Sequence, residues 1–165
     1  GLYEKVSPSR ACLSNAMNVG HPSNLARFFD LYGGTVDRNG TVHRYPDRAR
    51  MKENIFSVSV TDRETLETIR RAYESYGTIL EPHGAVGWRG LEAYLRHSGY
   101  AGLCVSLETA HPAKFPEEIL KTIGIDPELP ESMKGLDRKT GEADPLPNDY
   151  AQFRDYLLRR LEKNT

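Results

Sequence analysis

Between residues 55 and 61 the sequence "IFSVSVT" alternates, with Phe56, Val58 and Val60 on one side and Ser57 and Ser59 on the other. A period of two predicts a strand with small residues on one face. Thr61 and Glu64 then stand at capping-box spacing, and Leu66, Ile69, Tyr73 and Tyr76 recur at helical intervals until Gly77 breaks the run. A second helix is expected over about 83 to 97, where Ala85, Gly87 and Gly90 lower helix propensity but let another backbone come close. "GLCVSL" at 102 to 107 is a short apolar run suited to a buried strand. Pro116 fits the first turn of a helix through Ile123, and Phe153, Tyr156, Leu157 and Leu161 stripe a closing helix over 148 to 163. Ahead of all these, Pro22 and Ser23 can open a helix with Leu25, Phe28, Phe29 and Tyr32 on its apolar face, ended by Gly33-Gly34.

The remaining stretches are polar. Residues 1 to 21 keep no period; 35 to 54 read as a surface excursion with a hairpin or tight-turn signal at Asn39-Gly40; 125 to 147 read as a Pro- and charge-rich loop before the final helix. Two strands among about five helices, in the order strand, helices, strand, helix, imply a helix-rich α/β layer with a small, incomplete parallel sheet. In such layers ligands gather at the carboxyl ends of strands. "ETAHPAKF" leaves one of those ends.

Composition narrows the functions open to this chain. Its 165 residues suffice for one core, and 22 Lys plus Arg against 23 Asp plus Glu leave no basic field to gather nucleic acid. Cys12 and Cys104 sit in no CxxC or Cys/His cluster, which argues against a disulfide framework or a metal site. No apolar run approaches the roughly 18 residues of a membrane span, and the opening lacks the order of a signal peptide. A cytoplasmic setting is the expectation.

At the strand end three residues compete. Lys114 could be an amine nucleophile, but it lies two residues before Pro116 with nothing visible to lower its pKa, so a solvated lysine at a helix start is the better reading. His111 is held extended by Pro112, has no carboxylate at motif spacing, and reads as structural. Thr109 is a neutral hydroxyl that can donate and accept, which suits a cofactor ring nitrogen. By residue type alone it reads instead as a local backbone cap. "EPHGAVG" at 81 to 87 opens a helix near two glycines, as an anion site would, but the spacing is too loose to be specific and close helix packing is the better reading of the glycines. "LSNAMNVGHPSN" gathers Ser14, Asn15, Asn18, Ser23 and Asn24, a polar density that suits an oxygen-rich ligand and that loops have in any case.

Together, "LSNAMNVGHPSN", "YGTILEPHGAVGWRGLEAYL" and "TAHPAKF" resemble, in that order, the carboxyl-terminal part of threonine synthase, from about residue 10 to the final helix. The resemblance implies a pyridoxal-phosphate lyase of the tryptophan-synthase β-like fold that turns O-phospho-L-homoserine and water into L-threonine and phosphate. It further implies that residues 1 to 165 form one carboxyl-terminal segment of a larger catalytic chain, with 35 to 54 variable between relatives. The Schiff-base lysine and the loop gripping the cofactor phosphate are then expected upstream, so that this segment alone is inactive and Lys114 is not that lysine. The same comparison puts Thr109 against the pyridine nitrogen, reversing the reading from residue type, and makes Ser14, Asn15, Asn24 and His111 candidates for lining the cleft. The expected partners are the substrate and the rest of the catalytic chain, with no nucleic acid, membrane or metal. The alternative from another class is a non-catalytic threonine-synthase-like interaction module.

Overall fold

The computed structural model describes residues 4–15, 19–141 and 143–162. Its contacts divide the chain into two compact units, Gly1–Glu128 and Leu129–Thr165.

In the first unit, helix α1 (Leu25–Leu31) ends where Gly33 takes a positive φ of 76°, and leads into a hairpin of β1 (Thr35–Val36) and β2 (Val42–Arg44). The two strands pair antiparallel, Val36 opposite Val42, with an irregularity beside Thr35. Asp37 builds the turn: its Oδ1 accepts the amides of Asn39 at 2.8 Å and Thr41 at 2.9 Å, while Gly40 adopts a φ of 85°. The Asn39-Gly40 signal thus marks a real turn, and the 35 to 54 stretch carries this hairpin followed by α2 (Arg48–Asn54), capped by Asp47. Phe29, Tyr32 and Val36 are buried here, whereas Phe28 of the expected apolar face stays 47% exposed.

Helices α3 (Asp62–Tyr76), α4 (Pro82–Ser98) and α5 (Pro116–Ile123) hold the main core. Each ends at a glycine in the left-handed region, Gly77, Gly99 and Gly124, where a side chain would be strained. Ile69 and Ala72 of α3, Leu80, Ala85 of α4 and Ile119 of α5 form one buried cluster, with Ile79, Trp88 and Ile123 packed against it. The capping box at the head of α3 is complete, with Thr61 Oγ1 accepting the Glu64 amide and Glu64 Oε2 accepting the Thr61 amide at 2.9 Å.

The helix-rich fold with a small sheet is as the sequence implies, but the sheet lies elsewhere and runs the other way. Among the described residues no parallel pairing occurs, and neither 55–61 nor 102–107 is assigned as a strand. Both segments lie instead against α4. Where a side chain would begin, Gly90 meets Val58 Cγ1 at 3.8 Å and Gly87 meets the Leu107 carbonyl at 3.9 Å, both ordinary contacts, while Ser106 Oγ comes tighter to Gly87 at 3.3 Å. A strand needs a neighbour to make its ladder bonds, and these two have a helix on one side only. Leu103, Val105 and Leu107, expected to be buried, are therefore 93%, 75% and 75% exposed, while Cys104 and Ser106 between them are less so.

The second unit holds two short 3-10 turns and α6 (Tyr150–Glu162). The Tyr156 hydroxyl donates to the Asp144 carboxylate, and Arg160 approaches the same carboxylate at 3.5 Å. Of the expected stripe, Phe153, Leu157 and Leu161 remain exposed, because this unit offers no second layer to cover them. Lys163, the expected helix end, lies outside the described residues.

Candidate functional site

Pro82 at the first helical position fixes the entry of α4, and Glu81 before it is the cap. Its side chain is completely buried and turns back over the helix start. Oε1 accepts the Gly84 amide at 2.8 Å; Oε2 accepts the His83 amide at 2.8 Å and lies 2.6 Å from His83 Nδ1. Three donors and the positive end of a helix converge on one buried carboxylate, so both of its oxygens are engaged. The His83 ring in turn lies 5.3 Å from that of Phe115, joining the start of α4 to the start of α5.

The segment that runs along α4 reaches this point at Glu108. Its carboxyl sits over Gly84, where a Cβ would overlap both oxygens, and Oε1 accepts the Glu81 amide at 3.4 Å. Partial burial of this carboxyl, aided by the neighbouring Glu81 carboxylate, pushes its pKa up to about 7; the Glu81 amide and His83 pull the other way. At neutral pH a large share of Glu108 is a neutral acid.

Thr109 follows, exposed, and no hydrogen bond engages its hydroxyl among the described residues. The local cap that Thr109 could have made is made by His111, whose Nδ1 accepts the Ala113 amide at 3.1 Å and opens a 3-10 turn over Pro112–Lys114. A ring nitrogen that accepts is unprotonated, so in neutral His111 the proton is on Nε2. Lys114 is exposed, as expected of a solvated lysine.

The other expected lining residues lie apart in the bonding pattern. Ser14 meets Cys12, whose Sγ is 3.5 Å from the Ser14 carbonyl; the loop is pinned to the head of α3 by the Leu13 amide, which donates to Asp62 Oδ1 at 3.0 Å. Asn15 is exposed, and Asn24 sits at the head of α1 without a side-chain cap bond. Among the described residues no hydrogen bond joins Ser14, Asn15 or Asn24 to Thr109 or His111; Asn18 lies outside the described residues. Glu81, His83 and Glu108 were not candidates from sequence. A glutamate directly before a proline at a helix start is the available signal; the sequence reads "EPHGAVG" as a helix opening and possible anion site, and in the structure the chain's own Glu81 carboxylate takes the His83 and Gly84 amides there. No group of His, Cys, Asp and Glu suited to a metal ion occurs among the described residues, and no helix there is long and apolar enough to cross a membrane.

The helix-rich order of elements with its small sheet is that of the carboxyl-terminal part of a tryptophan-synthase β-like fold. Comparisons with known proteins make the class specific. The family described as "Threonine synthase, C-terminal" matches residues 84–157. A threonine synthase of Haemophilus influenzae is 36% identical over 149 residues, which cover 90% of this chain and 31% of that protein. The crystal structure of threonine synthase from Escherichia coli aligns with a TM-score of 0.66 at 30% identity, over 92% of this chain and 32% of that one. A structure titled as the PLP-bound threonine synthase of Brucella melitensis shares the fold, with a TM-score of 0.60 at 23% identity over 92% of this chain and 34% of that one. In sequence and fold this chain is similar to the carboxyl-terminal part of threonine synthases. The chain spans about a third of the length of these relatives.

Proposed function

We propose that this segment supplies one wall of a pyridoxal-phosphate site in an enzyme that converts O-phospho-L-homoserine and water to L-threonine and phosphate. The observation that carries the reading is the hydroxyl of Thr109, exposed and unengaged because His111 performs the backbone cap. When bound, the cofactor supplies an electron sink for elimination and replacement at the substrate carbons. Thr109 fits its ring nitrogen: a hydroxyl can donate to that nitrogen while carrying no charge of its own. It cannot stabilise a protonated pyridine by charge, which keeps the sink mild and disfavours transamination. Glu108, the nearest residue that could have supplied such a charge, is turned onto Gly84 and the Glu81 amide.

Neutral His111 can hold a proton at Nε2 toward the cleft, and Ser14, Asn15 and Asn24 line it from the amino-terminal loop and the head of α1. The lysine that carries the cofactor comes from the part of the family fold outside this segment, since Lys114 stays solvated ahead of α5. The segment alone is then inactive, and its partners are the remainder of the catalytic chain and the substrate, in the cytoplasm.

Thr109→Val in the full catalytic chain tests this. Losing a hydrogen bond of about 1.5 kcal/mol or more lowers turnover about 10-fold or more and shifts the cofactor absorbance, while Thr109→Ser restores both. Unchanged turnover and absorbance in the valine variant would overturn the role of the hydroxyl. Failure of the full chain to bind the cofactor at all would favour a non-catalytic interaction module, which could use the exposed row Leu103, Val105 and Leu107.

A further inference from the structure

Two carboxyls that the proposed chemistry does not use meet beside Thr109. Glu81 is buried with its carboxylate oxygens engaged by the His83 and Gly84 amides and by His83 Nδ1, so a second negative charge next to it would meet like charge, with only the Glu81 amide and the already engaged His83 to favour it. Glu108 nevertheless places its carboxyl there, over the one residue of the first turn of α4 whose missing side chain leaves room.

We infer that Glu108 is a positioning residue for Thr109: as a neutral acid it donates its O–H to the Glu81 carboxylate, accepts the Glu81 amide, and so latches the end of the 102–108 segment onto α4. The inference rests on the reading of Thr109 given above, because the latch fixes the backbone immediately before that hydroxyl. Thr109 is then gripped from both sides, by Glu108 on α4 and by His111 on the following turn. The proton involved is exchanged with solvent, and no bond is made or broken in the chain.

The ionisable groups that act on Glu108 are Glu81 and His83, both at the entrance of α4, and the neutral form persists to about pH 7. The sign follows from linkage. A carboxyl whose folded pKa lies above its ordinary value of 4.5 adds stability that is complete below that value and lost as pH rises through about 7. The latch therefore loosens on the alkaline side.

The test uses the full catalytic chain as wild type, Glu108→Gln and Glu108→Ala. Thermal unfolding of the cofactor-free chain is followed from about pH 5.5 to 8.5, and pyridoxal-phosphate affinity is measured by fluorescence at both ends of that range. A glutamine amide donates to Glu81 at every pH. Beyond any slope common to all three proteins, the wild type loses thermal stability through pH 7 and binds the cofactor roughly 3- to 10-fold more weakly at the alkaline end, about 0.7 to 1.4 kcal/mol. Glu108→Gln removes both inflections and keeps the tight affinity; Glu108→Ala removes both and keeps the weak one. An inflection near pH 7 that survives in Glu108→Gln, or wild-type affinity in Glu108→Ala, overturns the latch. If the inflection moves with Glu108 as described but Thr109→Val leaves the cofactor spectrum unchanged, the latch exists and what fails is the role of Thr109.

Discussion

Replacing Gly84 by alanine separates what the helix wants from what the site wants. Alanine in place of glycine within a helix favours folding by about 0.5 to 1 kcal/mol, because the unfolded chain has less freedom to lose. At Gly90 that gain is nearly unopposed, since the nearest atom to the new methyl is Val58 Cγ1 at 3.8 Å, an ordinary contact. At Gly84 the same methyl overlaps both oxygens of Glu108, so the carboxyl swings out and gives up its bond from the Glu81 amide. That bond is long, at 3.4 Å, and together with the acid-to-carboxylate contact its loss costs about 1 to 2 kcal/mol. Gly90→Ala is thus expected to raise the urea midpoint by the full propensity gain, and Gly84→Ala to lie about 1 to 2 kcal/mol below it. Equilibrium denaturation of both variants at pH 6 and pH 8 measures this, and the gap narrows at pH 8, where Glu108 in the parent has already loosened. If Gly84→Ala stabilises as much as Gly90→Ala at both pH values, the carboxyl gains nothing from its seat and the reasoning is wrong.

Two further outcomes test the scaffold. Ile119→Ala empties the one fully buried position of α5, in a core shared with Ile69, Ala72, Leu80 and Ala85, and should cost about 2 to 5 kcal/mol by urea denaturation, loosening the base of the 108–115 turn. Thr61→Ala breaks the reciprocal cap at the head of α3 and should cost about 1 kcal/mol, read as a lower thermal midpoint with unchanged cofactor affinity.

Helices were legible because each carries its own punctuation. Thr61 with Glu64, Pro82, Pro116, and glycines 77, 99 and 124 fix ends through bonds only a few residues long, and the structure places α3, α4 and α5 where those signals stand. Pairing was not legible, because it depends on partners. "IFSVSVT" and "GLCVSL" have strand composition, yet they lie against α4 without ladder bonds, and the ladder that forms joins residues on either side of Asn39-Gly40, where the sequence carries a hairpin or turn signal but flanks too polar to read as strands. At the site, Thr109 was found through a resemblance and not through its chemistry, which pointed to a cap that His111 makes instead. Glu81 and Glu108 escaped notice because they stand 27 residues apart, and only the fold brings them together.

The three glycines of α4 have a consequence for which changes this helix can accept. Positions 84, 87 and 90 step by three in a helix of 3.6 residues per turn, so each notch is turned about 60° from the last. The first two receive Glu108 and Ser106, and the third, turned further round, receives Val58 from a different segment. One helix therefore encodes the placement of both extended segments in its register. A single residue inserted or deleted between 84 and 90 would swing the notches on one side of it by about 100° against the others. Point substitutions on the outer face of α4 can accumulate freely, whereas a change of length would displace one segment relative to the other and move Thr109 with it.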